Sequence, residues 1–271
     1  MASPIVPIVN YERPACNGWT PLNATGSRFL RWNGHGIITQ YTKSDDEAST
    51  AYQSENSSIH VKFHDTSVHH EIQFENRQRF VLGDLTRKAL ALANVKLLHV
   101  NHFDPTYDDT EWSLELPRGE HTKVLCLADE FVALATDCRL LRLFSLEGIQ
   151  LPPVCLPGPV HAMAATGNTI AVVFRRQLPL PDSHSLEVMM FQVNLVHQPP
   201  IKQLSFSPIK LSLTTGASLQ WIGFSDEGTL TVYDSIGSVR LLKNGLGANW
   251  IEVANLMREE KKVRELILQS N

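Results

Sequence analysis

The sequence predicts an all-β protein, and three observations predict it. Its apolar or alternating runs are short and separated by Gly, Asp, Asn and Pro, as strands between tight turns require. One run, Ile59 to His64, alternates with a clean period of two. Runs starting near Phe29, Arg79, Phe131, Thr169 and Gln220 recur at about 40–50 residues, the length of one four-stranded propeller blade.

The elements follow in chain order. Residues 1–27 form a lead segment. Its opening MASPIVPIV carries two prolines and lacks a basic n-region and a cleavage site, so it does not read as a signal peptide. Arg28 to Trp32, the turn Asn33-Gly34-His35-Gly36, and Ile37 to Tyr41 make a strand, a turn and a return strand. Residues 43–58 are polar and acidic and predict a loop. In the strand from Ile59 to His64, Ile59, Val61 and Phe63 share one face, and His60, Lys62 and His64 the other. Phe131 to Thr136, Asp137, and Leu140 to Phe144 repeat the hairpin pattern before Glu147-Gly148. Thr169 to Phe174 is a β-branched run. Trp221 to Phe224, Thr229 to Tyr233 and Ser238 to Leu242 form a meander with turns at Ser225–Gly228 and Asp234–Gly237. Prolines fall in links such as Leu178 to Pro181 and Gln198 to Pro200, outside strand centres, where a ladder donor would be lost.

Residues 28–253 thus form the β body, and residues 254–271 a helical tail. Asn255 to Gln269 contains no Gly or Pro, pairs Glu260 with Arg264 and Lys261 with Glu265, and can align Leu256, Val263 and Ile267. The blade spacing is irregular and no WD dipeptide marks it, so a propeller and a pair of β-sandwiches both satisfy the pattern.

Composition narrows the function classes. Of the 271 residues 43% are hydrophobic and 19% charged, a folded chain's balance and not a disordered one's. Twenty-eight acidic against 24 basic residues give a net charge of -4, which disfavours a dominant nucleic-acid surface. No apolar run is long enough to span a membrane. Cys16, Cys126, Cys138 and Cys155 form no CxxC pair. Three of them lie in or beside apolar runs, which predicts reduced cysteines acting as buried hydrophobes in an intracellular protein.

The densest polar cluster is Phe63-His64-Asp65-Thr66-Ser67-Val68-His69-His70. Its imidazoles and carboxylate, with His60, are zinc-type ligands or a proton-transfer pair. The alternative is a turn in which Asp65, Thr66 and Ser67 hold backbone groups and His64 or His69 bonds across strands. Adjacent His69 and His70 point to opposite faces when extended, which favours the turn. Gly245-Leu246-Gly247-Ala248-Asn249-Trp250 holds a GxG without the third glycine or a βαβ unit, so it reads as a glycine turn before a packed tryptophan. Arg175, Arg176 and Lys243 read as solvated strand ends, and Trp112, Trp221 and Trp250 as core anchors. No Walker loop, GxSxG, HExxH or kinase signature is present.

Five strings in one order carry a resemblance: FHDTSVHH (Phe63 to His70), LLRLFSLEGIQ (Leu140 to Gln150), GPVHAMA (Gly158 to Ala164), WIGFSDEGTLTVYDSIGSVRLL (Trp221 to Leu242) and NGLGANW (Asn244 to Trp250). Over residues 19–253 the chain resembles the middle, second propeller of a replisome adaptor family. Its members are the acidic nucleoplasmic DNA-binding protein (the WD-repeat and HMG-box protein) and the fungal chromosome transmission fidelity and minichromosome loss proteins. The resemblance implies a six-bladed β-propeller, a homotrimer, and a nuclear, chromatin-associated scaffold without enzymatic activity or cofactor. It further implies a link from the replicative helicase, through GINS, to DNA polymerase alpha, and a role in sister-chromatid cohesion. The residues that carry it are Phe63, His64, Asp65, His69, His70, Leu141, Arg142, Gly158, Pro159, Trp221, Gly223, Phe224, Asp234, Gly237, Arg240, Gly245, Gly247 and Trp250. All are read as structural signatures; none is assigned as catalytic or as a metal or cofactor ligand. Family members continue past the stretch matching Trp250 into further strands and a client-binding helical bundle, so a last blade short of strands is expected here. The alternative is an unrelated propeller binding a small molecule or metal in its channel through His64, Asp65 and His69.

Overall fold

The computed structural model describes residues 26–42, 57–67, 69–103, 111–176, 186–196, 198–205, 207–243 and 249–257. These residues form five antiparallel sheets of consecutive strands. The first holds β1 (Ser27–Trp32), β2 (Gly36–Thr42), β3 (Ser57–Phe63) and β4 (Ile72–Glu75). The second holds β5 (Leu82–Leu85), β6 (Ala89–Ala93), β7 (Leu97–His102) and β8 (Glu111–Glu115). The third holds β9 (Thr122–Leu127), β10 (Phe131–Thr136), β11 (Leu140–Ser145) and β12 (Val154–Cys155). In the fourth, β13 (Val160–Thr166), β14 (Thr169–Arg175), β15 (Leu186–Val193) and β16 (Ile201–Gln203) lie in order, and β17 (Ile209–Lys210) also pairs with β15. The fifth holds β18 (Leu219–Phe224), β19 (Leu230–Asp234), β20 (Ser238–Lys243) and β21 (Asn249–Asn255).

The first strand of each sheet is the inner one. β1 packs on β5, β5 on β9, β9 on β13 and β13 on β18, and all five end at one shared cavity. Radial repetition of four-stranded meanders around a channel is a β-propeller. Sandwich packing is excluded, because each sheet's neighbour is the next in sequence and not a single facing partner. The described residues make five blades, and the last of these carries four strands.

The core is four layers of apolar side chains, one between each pair of successive sheets. Leu30, Ile38 and Val61 meet Phe80, Leu85 and Leu92 between the first two sheets. Leu134 and Phe144 meet Ala91 and Val100 in the second layer, and Phe174 and Phe191 meet Leu141 and Leu143 in the third. Val173 and Val188 meet Ile222 and Val232 in the fourth. Each such Leu, Ile, Val or Phe side chain, buried on folding, contributes about 1.5–3 kcal/mol. The inner strands β1, β13 and β18 each carry a register shift against their partner. Such bulges increase the local twist that turns a flat meander into a blade.

Several expectations need adjustment. The polar loop ends earlier than expected: Ser57 and Ser58 already pair with Thr42 and Tyr41 in the β2–β3 ladder, and residues 43–56 lie outside the described residues. Asn255 still closes a strand, because it pairs with Ser238, and helical residues begin one position later, at Leu256 and Met257; the remaining tail from 258 lies outside the described residues, as do Cys16, Gly245 and Gly247. Among the described cysteines only Cys126 is a buried hydrophobe, and burial pushes its thiol well above the ordinary range. Cys138 and Cys155 are exposed. Arg175 is buried, not solvated, whereas Arg176 is exposed and pairs with Glu187 at 3.3 Å. Among the described residues no helix is long and apolar enough to cross a membrane.

Candidate interaction surfaces

The segment following β3 is a staple. Phe63 is buried at the strand end, and His64 Nε2 lies 3.0 Å from the carbonyl oxygen of Asn33 in the β1–β2 turn. His69 Nε2 lies 2.8 Å from the carbonyl oxygen of Arg87 in the β5–β6 turn. A carbonyl only accepts, so both imidazoles donate through Nε2. The His69 ring also sits between Phe63 and Phe103, with centroids 4.9 and 4.5 Å away. Asp65 Oδ1 accepts from the Ser67 amide at 3.1 Å and hydroxyl at 2.5 Å. Those bonds hold its carboxyl below the ordinary range. His70 is exposed. Thus His64, Asp65 and His69 work on three separate backbone or side-chain partners. Among the described residues no group of three or more His, Cys, Asp and Glu side chains is placed to hold a metal.

Arg142, Asp234 and Arg240 belong to a device that recurs from blade to blade. A polar side chain in the turn between the second and third strands ties that turn to the segment entering the inner strand. In the second sheet, Asn94 Oδ1 accepts from the amides of Lys96 and Leu97 at 2.8 and 2.7 Å, while its Nδ2 donates to Gln78 O at 2.6 Å. In the third, Asp137 accepts from His121 N and Nδ1 at 2.9 and 2.7 Å. One strand further, Arg142 Nε and Nη2 donate to the two oxygens of Glu120, both at 2.7 Å.

The fifth sheet has the fullest version. Asp234 is fully buried; its Oδ2 accepts from Thr214 N and Oγ1 and from Arg240 Nη1 at 3.0, 2.7 and 2.8 Å. Its Oδ1 accepts from the amides of Ile236 and Ser238 at 3.1 and 3.0 Å. Burial opposes ionisation, but the Thr214, Ser238 and Arg240 bonds outweigh it and bring the carboxyl down to about 2. Gly237 completes that turn with φ at +90°, a conformation that favours glycine.

The other motif residues pack. Leu141 is fully buried in the layer between the third and fourth sheets, and Phe224 and Trp250 border the layer between the fourth and fifth. Trp250 Nε1 donates to Lys210 O at 2.9 Å, and Trp112 Nε1 to Leu146 O at 2.6 Å. Pro159 O accepts from Arg175 N at 2.9 Å. Its neighbour Gly158 must be glycine, since a Cβ there would stand 1.9 Å from Arg175 O. Trp221 departs from its expected role as a core anchor: it is 47% exposed.

The shared cavity has a volume of about 400 Å3 and is lined by the ends of all five inner strands. Its wall contains an ion pair that sequence reasoning missed. Asp84, 1% exposed, stands 2.8 Å from Arg31 Nε, and accepts from the amides of Leu85 and Leu127, each at 2.9 Å. One carboxylate thus pins three successive blades. The available signal was a lone acid inside the apolar run from Phe80 to Leu85, since a buried carboxylate needs partners.

Each of the two outermost sheets has a face turned away from its neighbour: the fifth sheet's is apolar, whereas the first sheet's carries Phe29 and Tyr41 among Ser27, Thr39, Ser58, His60, Gln73 and Glu75. On the first sheet, Phe29 and Tyr41 project away from the second sheet, at 38% and 40% exposure. Tyr41 contacts the His60 ring at 4.6 Å. On the fifth sheet the row Gly223, Thr231, Leu241, Ile251 crosses the face turned away from the fourth, and Trp221, Ile251 and Val253 are exposed there.

A family model described as the middle region of the minichromosome loss protein Mcl1 matches residues 13–266. The human WD repeat and HMG-box DNA-binding protein 1 is 34% identical over 255 residues, 90% of this chain and 21% of that protein. The Arabidopsis thaliana protein ENHANCER OF LHP1 1 is 30% identical, over 90% of this chain and 25% of its own length. Minichromosome loss protein 1 of Schizosaccharomyces pombe is 23% identical, over 93% and 30%. The chain therefore spans about a fifth to a third of these relatives' length. Among solved structures it is similar to Hsv2 with loop 6CD replaced by a Gly-Ser linker, with TM-score 0.47 and 10% identity, over 80% of this chain and 78% of that one. HIRA(644-1017) is similar with TM-score 0.41 and 17% identity, over 60% and 51%.

Proposed function

Because the chain belongs to the family of the minichromosome loss protein Mcl1 middle region, we propose that it is a non-enzymatic scaffold module of the DNA replication machinery, working in the nucleus on chromatin. Its activity is association: with copies of itself as a homotrimer, and with GINS of the replicative helicase and DNA polymerase alpha. A contribution to sister-chromatid cohesion follows from holding those machines together.

The observation that carries this reading is the exposed apolar row on the outward face of the fifth sheet, with Trp221, Ile251 and Val253. Contiguous apolar surface on a rigid frame marks a place where another protein sits. The polar clusters supply support without implying chemistry. His64, His69, Asp84, Glu120 and Asp234 are each occupied by backbone or side-chain partners within the frame.

Two measurements test the reading. Light scattering on the purified chain is expected to give about three times its 30.3 kDa mass. Tagged chain recovered from replicating nuclei is expected to bring down GINS, polymerase alpha or a longer family member. A monomer that recovers none of them ends the proposal.

A further inference from the structure

The mouth of the central cavity carries side chains that the packing of the sheets does not use. Trp32, at the end of β1, is 64% exposed, and Trp221, in β18, is 47% exposed; both line the cavity. Each indole is braced on one side. Phe29 meets Trp32 edge-on with centroids 5.3 Å apart. Trp221 lies on the backbone of Gly223, where an added Cβ would stand 2.2 Å from its Cζ2. Bracing two large rings while leaving them in water costs hydrophobic burial, and such a pair is suited to a ligand that uses ring faces.

Charge says which ligand. Asp129 in the β9–β10 turn and Asp226 in the β18–β19 turn also line the mouth, and both are exposed. The guanidinium lining the cavity, Arg31, is taken up by Asp84, whose oxygens also accept two amides. Lys88 in the adjacent turn is taken up by Glu130. His35 lines the same mouth. The carboxylates there with no cationic partner among the described residues are those of Asp129 and Asp226. Carboxylates beside indole faces attract a cation twice, by Coulomb attraction and by the ring quadrupole.

We propose that this mouth binds a lysine or arginine side chain presented by a basic peptide, with Trp32 and Trp221 stacking on the cation and Asp129 and Asp226 supplying the counter-charge. At about 400 Å3 the cavity is at the smaller end of ordinary ligand sites, sufficient for the side chain and its flanking backbone. The inference rests on the chain being a protein-binding module and adds the chemistry of one partner.

The test uses the full chain and a fluorescein-labelled nonapeptide of alternating lysine and glycine, read by anisotropy. The expected result is saturable binding that weakens with added salt. The double variant Asp129→Asn with Asp226→Asn should bind roughly tenfold more weakly. Glu111→Gln with Glu115→Gln, which removes the same charge from β8, should bind as wild type. No binding, or equal losses in both variants, overturns the site, because the attraction is then absent or merely that of the net charge. Quenching gives a second reading. The emission lost in Trp32→Phe with Trp221→Phe is expected to be more accessible to caesium than to iodide in wild type. Shielding from both ions would mean that another part of the chain covers the mouth, and would also overturn the proposal. Either failure leaves the scaffold reading to its own test, the co-recovery of replication proteins.

Discussion

Single polar residues decide how well the blades hold together. Asp234 accepts five hydrogen bonds in a site without solvent, and Arg240 relies on it for its closest charge partner. Asp234→Ala leaves that guanidinium half-matched and two turns untied, and should cost about 3–5 kcal/mol in a urea titration. The sign of its pH dependence follows from the lowered carboxyl, about 2 against an ordinary 3.8. The stabilisation is complete above about pH 4 and is lost as pH falls through 2. Wild type should shed roughly 2 kcal/mol across that window that Asp234→Asn does not. Glu120→Gln removes the charge from a two-bond pair with Arg142 and should cost about 1.5–3 kcal/mol in the same assay. Little of this was readable in advance. Asp234 and Arg240 stand in a motif string, but Thr214 and Glu120 sit in undistinguished links and meet their partners only when the blade folds back on itself.

At the scale of elements, blade identity resides in how inner strands enter and leave. Gly158 lets the chain pass against Arg175 O on the way into β13. Gly158→Ala should lower the thermal midpoint and cost about 1–3 kcal/mol, because a methyl group there would run into the Arg175 carbonyl, which as paired backbone cannot step aside. The strands themselves were legible. Alternation in Ile59, Val61 and Phe63 matches their burial, and the predicted hairpins at 131–144 and 221–242 correspond to β10–β11 and β18–β20. The short edge strands were not, since β12 and β17 pair only two residues each. Two residues are too few to show a period, so their conformation comes from the neighbour that pairs with them.

For the whole molecule, a frame of radially packed sheets leaves function to its surfaces. Ile251 is 43% exposed on the open face of the fifth sheet, outside the four core layers. Ile251→Lys should therefore change stability by about 0.5 kcal/mol or less while lowering the solution mass if that face joins copies of the chain. Light scattering and a denaturant titration on one preparation read both quantities. A mutant that keeps the full assembly mass would move the interface elsewhere.

The sequence by itself determined that the chain is all-β, where most strands and turns lie, and, through five ordered strings, which family it belongs to. Those properties are local or are carried by side-chain order, and the alternation of apolar residues encodes them directly. Strand periodicity left propeller and sandwich equally open, because both are built from the same hairpins, and the resemblance implied the propeller. The tertiary structure shows it directly, by placing each sheet against the next in sequence and bringing five strand ends to one cavity. It also reversed the role of Trp221, from core anchor to exposed ring. A register shift beside Gln220 changes the alternation within β18, and a one-residue change of pairing decides which side a side chain faces.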